Sequence, residues 1–314
     1  VKKPKIDQHV VIAIDCFKSD PAKLSNGLSS AFSFCQQMRE IPLVRCVVGP
    51  SQFGLSAGIA KVFEEQIRKI GTTRLNDVLS EMKGNPPRNT EIVFLTEASI
   101  KAEARTLLKS AKKAGAGLIT VFSHAGAETT RPPLGGFVLS LIYQTHIPVL
   151  VINAKTAAKR PVKRIAFATD FTKGSEIAFN TVIRIARELQ SEIVLLHILP
   201  TLPYSELAAS SGVAGGWTAV EVFLKKEETA IKKKAAKWLE HAKRERVSTS
   251  FELVTGTLAI ADSISKIAEQ SKCDIIAMTE KTGPIASLIL GSVTRSVLRD
   301  ADKPVLVLTL PKKS

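Results

Sequence analysis

Aromatic side chains are scarce in this chain: Phe, Trp and Tyr make up 5% of its 314 residues, with only two Trp and two Tyr. Its interior must therefore be built from Ala, Ile, Leu and Val, as in soluble α/β proteins. Cysteine is sparse as well. Cys16, Cys35, Cys46 and Cys273 form no C-x-x-C pair and read as buried thiols, with a redox or metal role as the less favoured alternative. No apolar run reaches the roughly 18–20 residues of a membrane span, and the opening VKKPKIDQHVVIAID lacks a signal-peptide core, so no membrane insertion and a cytoplasmic location are expected. No Ser-His-Asp order, carboxylate pair, metal-ligand cluster or G-x4-G-K-[ST] loop can be read, and the five histidines are scattered. The expectation is a protein that is not an enzyme.

Acidic residues are outnumbered. Against 44 Lys and Arg stand 29 Asp and Glu, giving a formal charge of +15, which attracts polyanions. Much of the excess lies in a mixed-sign run, Lys225-Lys226-Glu227-Glu228 and Lys232-Lys233-Lys234 through Lys237, Lys243, Arg244 and Arg246. Trp238 is the one Phe, Tyr or Trp within it and no recognised nucleic-acid motif accompanies it, so a solvated helix face is the favoured reading over a nucleic-acid surface.

What is present is a repeat. Two β-rich runs end in Asp followed by Phe, VVIAIDCF at Val10–Phe17 and RIAFATDF at Arg164–Phe171, and each leads into a helix: Pro21 through Met38 in the first copy, and in the second Gly174-Ser175-Glu176 opening a stripe of Ile177, Val182, Ile185, Ala186 and Leu189. Second strands follow at Ile41–Val48 and Glu192–Leu199. Long helical regions come next, about Leu55–Met82 and Val220–Arg246, and then the strands IVFLT and TSFELV. Helices around Lys101–Ala114 and Ala259–Gln270 lead to strands at Gly117–Ser123 and Cys273–Thr279. HIPVLVIN at His146–Asn153 and KPVLVLTL at Lys303–Leu310 close the copies.

Short β-branched runs alternating with helices imply parallel strands joined by right-handed crossovers. The expected fold is α/β, two doubly wound parallel sheets of five strands, with domains at 1–153 and 164–314. AKTAAKRPVK at 154–163 is a polar, Pro-broken linker. Thr201–Val220, carrying Tyr204, Trp217 and Gly215-Gly216, reads as a mobile loop, with a lid or a partner-binding loop as the alternatives.

KRIAFATDFTKGSEIAFNTVIRIARELQSEIVLLHIL resembles the opening of universal stress protein domains, and GSVTRSVLRDADKPVLVLTL resembles their closing segment. The first copy is similar mainly through Asp15, GLITVFSHA and IPVLVIN. The resemblance implies a flavodoxin-like strand order, 3-2-1-4-5, of the adenine nucleotide alpha hydrolase type, and a crevice at the carboxyl ends of the central strands. It also implies an ATP or AMP site whose nucleoside lies near the first strand's Asp, and whose phosphates rest on a G-x2-G-x9-G-[S/T] turn that leads into a helix N-terminus.

Laid on the first copy, that spacing puts Phe122 and Ala125 at the first glycines and Gly135-Gly136 at the last pair. Pro132-Pro133 remove two N–H donors, so the first phosphate loop is degenerate. In the second copy Gly291, Ser292 and Thr294 stand at a helix start able to cradle an anion. The upstream glycines are replaced by Met278 and Lys281 in one register, or by Thr279 and Thr282 in the other. Lys281 would supply positive charge and Gly283 flexibility. Asp170, with Thr169 before it, falls where the resemblance places the nucleoside contact, and can equally cap the turn that follows. His197 falls where the family uses backbone against the base.

The resemblance thus implies a stress-response sensor or binding protein with a weak adenine-nucleotide site in the second domain. Two other readings compete: a non-nucleotide interaction scaffold and a basic nucleic-acid binder. The closing strands Val149–Ile152 and Val305–Leu308 are expected to pair as an intramolecular pseudo-dimer, with a homodimer as the alternative assembly.

Overall fold

The computed structural model describes residues 9–17, 21–82, 89–95, 99–123, 135–153, 160–201, 216–256, 259–280 and 290–309. Chain proximity divides the protein into two compact units: Val1–Pro161 with Leu288–Leu290 and Leu298–Ser314, and Val162–Ser287 with Gly291–Val297.

The first unit carries β1 (His9–Ile14), α1 (Pro21–Met38), β2 (Ile41–Val48), α2 (Ala57–Val62), α3 (Glu64–Ser80), β3 (Thr90–Phe94), α4 (Ile100–Lys113), β4 (Ala116–Ser123), α5 (Gly136–Gln144) and β5 (Val149–Asn153). Its strands lie in the order β3-β2-β1-β4-β5, and all four of those pairings are parallel. HVVIAI, the apolar run of β1, is buried from Val10 to Ile14, as a strand covered by helices on both faces must be. Edge strand β3 reads TEIVF and exposes its first two residues, which blunts an otherwise open ladder edge.

The second unit repeats the scheme with β6 (Arg164–Ala168), α6 (Lys173–Leu189), β7 (Glu192–Pro200), α7 (Gly216–Arg244), β8 (Thr249–Gly256), α8 (Ile260–Gln270) and β9 (Ile275–Thr279), followed by α9 (Ser292–Asp300) and β10 (Val305–Leu308). Its order is β9-β6-β7-β8, again parallel. The last strand of the chain, β10, groups with the first unit, where it pairs antiparallel to β5 with Val305 opposite Val151 and Val307 opposite Val149.

Two local expectations are corrected. The single helical region expected over about Leu55–Met82 is preceded by a 3-10 turn at Pro50–Phe53 and broken at Phe63. Ser56 caps α2 by accepting the Ile59 N–H, and the backbone of Phe63 leaves the helical region before Glu64 and Glu65 open α3. Two carboxylates suit a helix start. On α6 the buried face runs through Ala178, Phe179, Val182, Ile183 and Ala186, whereas Ile177, expected on the stripe, is exposed. Helix α6 is held at both ends: Thr172 Oγ1 accepts the Ser175 N–H, and Gln190 ends it in the left-handed region at φ 54°.

Helix α7 buries Ile231, Ala235 and Ala242, with Trp238 half-buried between them, a helical i, i+4, i+7, i+11 stripe. Trp238 stacks on Phe179 at 4.8 Å and on Phe167 at 6.4 Å, and meets Phe171 edge-on at 5.0 Å. Each such pair adds about 0.5–1.5 kcal/mol beyond its burial. Phe167, Phe171, Phe179, Trp238 and Phe251 thus form one aromatic cluster beneath α7 within the second unit. Lys225, Lys226, Lys232, Lys233, Lys234 and Lys237 on the same helix are exposed, and Lys225 and Lys232 pair with Glu221 and Glu228 one turn back. No helix among the described residues is long and apolar enough to cross a membrane.

Candidate functional site

In an open parallel sheet the crevice forms where neighbouring strands feed helices on opposite faces, at their carboxyl ends. In the second unit that point lies between β6 and β9, in register from Ile165 opposite Ile275 to Ala168 opposite Met278. Thr169 and Asp170 follow β6 directly, and α9 follows β9. Of the residues expected at the site, the fold brings Thr169 and Asp170 to one side of this point and Gly291, Ser292 and Thr294 to the helix start on the other. Lys281 and Gly283 lie outside the described residues, as do Thr282 and most of the segment from Thr201 to Val220.

Asp170 is the hub of a local network. Its Oδ1 accepts the Thr172 N–H at 3.0 Å, the Thr172 hydroxyl at 2.7 Å and the Ser175 hydroxyl at 2.6 Å. One carboxylate oxygen therefore organises the turn into α6, places negative charge at the helix's positive end, and satisfies the buried Ser175 hydroxyl. The turn requires Phe171 at φ 56°, a left-handed conformation uncommon for a bulky residue. Thr169, itself buried, steadies it by accepting the Phe171 N–H at 3.0 Å.

His197 sits one residue beyond the last paired position of β6 and β7, beside Thr169. Its Nδ1 lies 2.7 Å from the Thr169 carbonyl. A carbonyl only accepts, so Nδ1 carries the proton and Nε2 is the acceptor in the neutral ring. Burial pushes the pKa of His197 down. The Thr169 carbonyl and the charge of Asp170 oppose that shift without reversing it. His197 also packs against Phe171 at 5.4 Å, so it is a member of the aromatic cluster as well as a polar group.

At the helix start, the Gly291 N–H donates to the Glu280 carbonyl at 3.0 Å, and the Gly291 carbonyl accepts the Arg295 N–H at 3.0 Å. Gly291 thus occupies the cap position, with Ser292 exposed just after it. The first-turn amides of an α-helix point out of this end. The Thr294 hydroxyl faces inward: it is fully buried and donates to the Thr279 carbonyl at 3.0 Å, fastening α9 to the end of β9.

The first unit is built differently at the same places. Asp15 Oδ1 accepts the Phe17 N–H at 2.9 Å. A Phe17–Phe53 edge contact at 5.1 Å closes the ends of β1 and β2, with Phe53 held on the 3-10 turn after β2. Helix α5 starts from Gly135 with no side-chain cap. Ser123 is buried at the end of β4, whereas His124, Ala125 and Pro132-Pro133 lie outside the described residues.

Sequence reasoning missed the Ser175 hydroxyl, the Thr169 carbonyl bond to His197, and Trp238 as the centre of the aromatic cluster. Thr172-x-x-Ser175 at a helix start was the available signal for the first. Nothing local signalled the other two, which are contacts between distant segments.

A parallel α/β fold with this strand order defines a doubly wound, flavodoxin-like class of protein, and comparison with known proteins supplies the family. The model of the universal stress protein family matches residues 161–309. A universal stress protein of Methanocaldococcus jannaschii is 33% identical over 153 residues, covering 48% of this chain and 84% of that protein. A second from the same organism is 32% identical over 153 residues, covering 46% of this chain and 93% of its own length. The crystal structure of a universal stress protein from Archaeoglobus fulgidus matches at TM-score 0.61 and 15% identity, over 96% of this chain and 98% of that one, a likeness of fold along the whole length. This chain belongs to the universal stress protein family, as a tandem member with two copies of the domain.

Proposed function

We propose that this tandem universal stress protein is a non-catalytic binding or sensor protein of the stress response, with a weak adenine-nucleotide site in its second unit. The observation that carries the reading is the placement of Asp170 and the α9 start by neighbouring strands β6 and β9 on either side of the sheet's reversal point. An adenosine at the end of β6 would offer ribose or base donors to Asp170, and the phosphates would meet the α9 amides and the Ser292 hydroxyl. Affinity is weak because Asp170 Oδ1 already serves three donors and the inward Thr294 hydroxyl is committed to Thr279. Antiparallel pairing of β5 with β10 supports reading the closing strands as a pairing edge, with covalent linkage replacing the association of separate chains.

Calorimetric titration of the full chain with ATP and AMP tests the proposal, with Asp170→Asn retaining an acceptor for the turn. The expected result is heat at millimolar nucleotide, reduced in the variant. Absence of heat from the parent chain sinks the nucleotide site and leaves a scaffold.

A further inference from the structure

The first unit has two sulfurs where the second has Phe171 and His197. Asp15 corresponds to Asp170, so Cys16 takes the place of Phe171. In the β1–β2 register Ile14 lies opposite Cys46, and in the β6–β7 register the position after Ala168 and Leu196 sets Thr169 beside His197. Cys46 therefore takes the place of His197. The two thiols touch: the Cys46 Sγ–H points at the Cys16 sulfur across 3.2 Å, and both side chains are buried, Cys16 2% and Cys46 0% exposed.

We propose that Cys16 and Cys46 are an oxidisable dithiol, a modification site that closes as an intramolecular disulfide under hydrogen peroxide and reopens with a thiol reductant. A disulfide needs the sulfurs at about 2.05 Å, so they must approach by roughly 1 Å from 3.2 Å, and Cys16 lies in the turn after β1 rather than in a strand ladder. The chemistry balances with peroxide as the only co-reactant. One sulfur, as thiolate, attacks a peroxide oxygen and breaks the O–O bond, giving a sulfenic acid and hydroxide, which takes up the proton that the thiol lost and leaves as water. The second sulfur attacks the sulfenic sulfur and expels its hydroxyl, which leaves as water with the second thiol's proton. Two thiols lose two electrons and one peroxide gains them. The neighbouring Cys46 sulfhydryl, and then burial, raise the pKa of Cys16, so the thiol form is favoured and the reaction is slow. Peroxide, close to water in size, suits a buried pair better than a bulky disulfide oxidant does.

The bond would tie the turn after Asp15 to the end of β2, at the edge closed by Phe17 and Phe53. The remaining thiols serve as controls. Cys35 is buried in α1, where burial, and then the charge of Glu40, push its pKa up to about 12, and Cys273 is buried before β9.

The test uses the full chain carrying Cys35→Ser and Cys273→Ser, treated with hydrogen peroxide, unfolded, alkylated and weighed intact. The expected product has lost two hydrogens, takes up no alkyl group, shows a Cys16–Cys46 linked peptide after digestion, and returns to two alkylated thiols after reduction. Cys16→Ser on that background should instead leave Cys46 to gain oxygen atoms. Two alkylatable thiols after treatment, separate oxygen addition at each, or links between chains would overturn the proposal. If the substituted background does not fold, peptide mapping of the peroxide-treated parent chain detects the presence or absence of the same Cys16–Cys46 link.

Discussion

Replacing Asp170 by Ala removes the acceptor of three donors at once and is the sharpest perturbation of the second unit. The buried Ser175 hydroxyl, 2.6 Å from Oδ1, loses its acceptor at a cost of about 1–3 kcal/mol. The Thr172 N–H and hydroxyl are only half-buried and can turn to water, at a cost of about 0.5–1 kcal/mol. Loss of a carboxylate at the start of α6 removes a further 0.3–1 kcal/mol or so of dipole stabilisation. The sum is about 2–5 kcal/mol. With a urea dependence of about 2 kcal/mol per molar for a unit of this size, the unfolding midpoint falls by roughly 1–2.5 M. Trp238 fluorescence in a Trp217→Phe background reads this transition, because Trp238 packs on Phe167, Phe171 and Phe179. Asp170→Asn keeps an acceptor without the charge and should fall between the parent and the Ala variant. A midpoint shift in Asp170→Ala below about 0.3 M would refute the view that this side chain organises the turn.

Phe179→Ala removes a fully buried ring that stacks on both Phe167 and Trp238 and should destabilise the second unit by about 3–5 kcal/mol; an unchanged urea midpoint would contradict the packing described. At Gly49 an added Cβ would lie 2.7 Å from Leu95 Cδ1 and 3.0 Å from Leu95 Cβ, so Gly49→Ala should overpack the first unit by about 1–3 kcal/mol, seen in scanning calorimetry as a lowered transition, and an unshifted one counts against the contact. His197 has a folded pKa below its ordinary value, chiefly through burial. The unfolded chain then binds more protons in the window from about pH 6.5 down to the folded value, so the stability contributed above that window is lost as pH falls through it. Urea midpoints between pH 7.5 and 5.5 should fall more steeply for the parent than for His197→Gln, and parallel curves would refute the shift.

Much of the fold could be read in advance because it rests on local patterns. HVVIAI and RIAFA are dominated by apolar residues, as doubly covered strands must be, and Gly174-Ser175-Glu176 ahead of a hydrophobic stripe marks the helix, which begins one residue earlier at Lys173. The break at Phe63 was hidden because apolar periodicity runs on through it and only backbone geometry interrupts it. The resemblance pointed to Asp170 after the first strand and to a helix start at Gly291-Ser292, and the structure has a strand end and a helix start at those residues. The inward turn of Thr294 was not legible, since its partner is the carbonyl of Thr279, fifteen residues away. The thiol contact was equally hidden, because Cys16 and Cys46 stand thirty residues apart and meet only through strand register.

The central proposal is that adenine nucleotide binds in the second unit and not in the first. Calorimetry with ATP on Gly135→Trp and Gly291→Trp tests it most directly, since each substitution places a bulky ring at one helix start, and a Cβ added at Gly135 meets nothing within 4 Å among the described residues. The account predicts binding heat retained in Gly135→Trp and lost in Gly291→Trp. Loss in Gly135→Trp with retention in Gly291→Trp would contradict it.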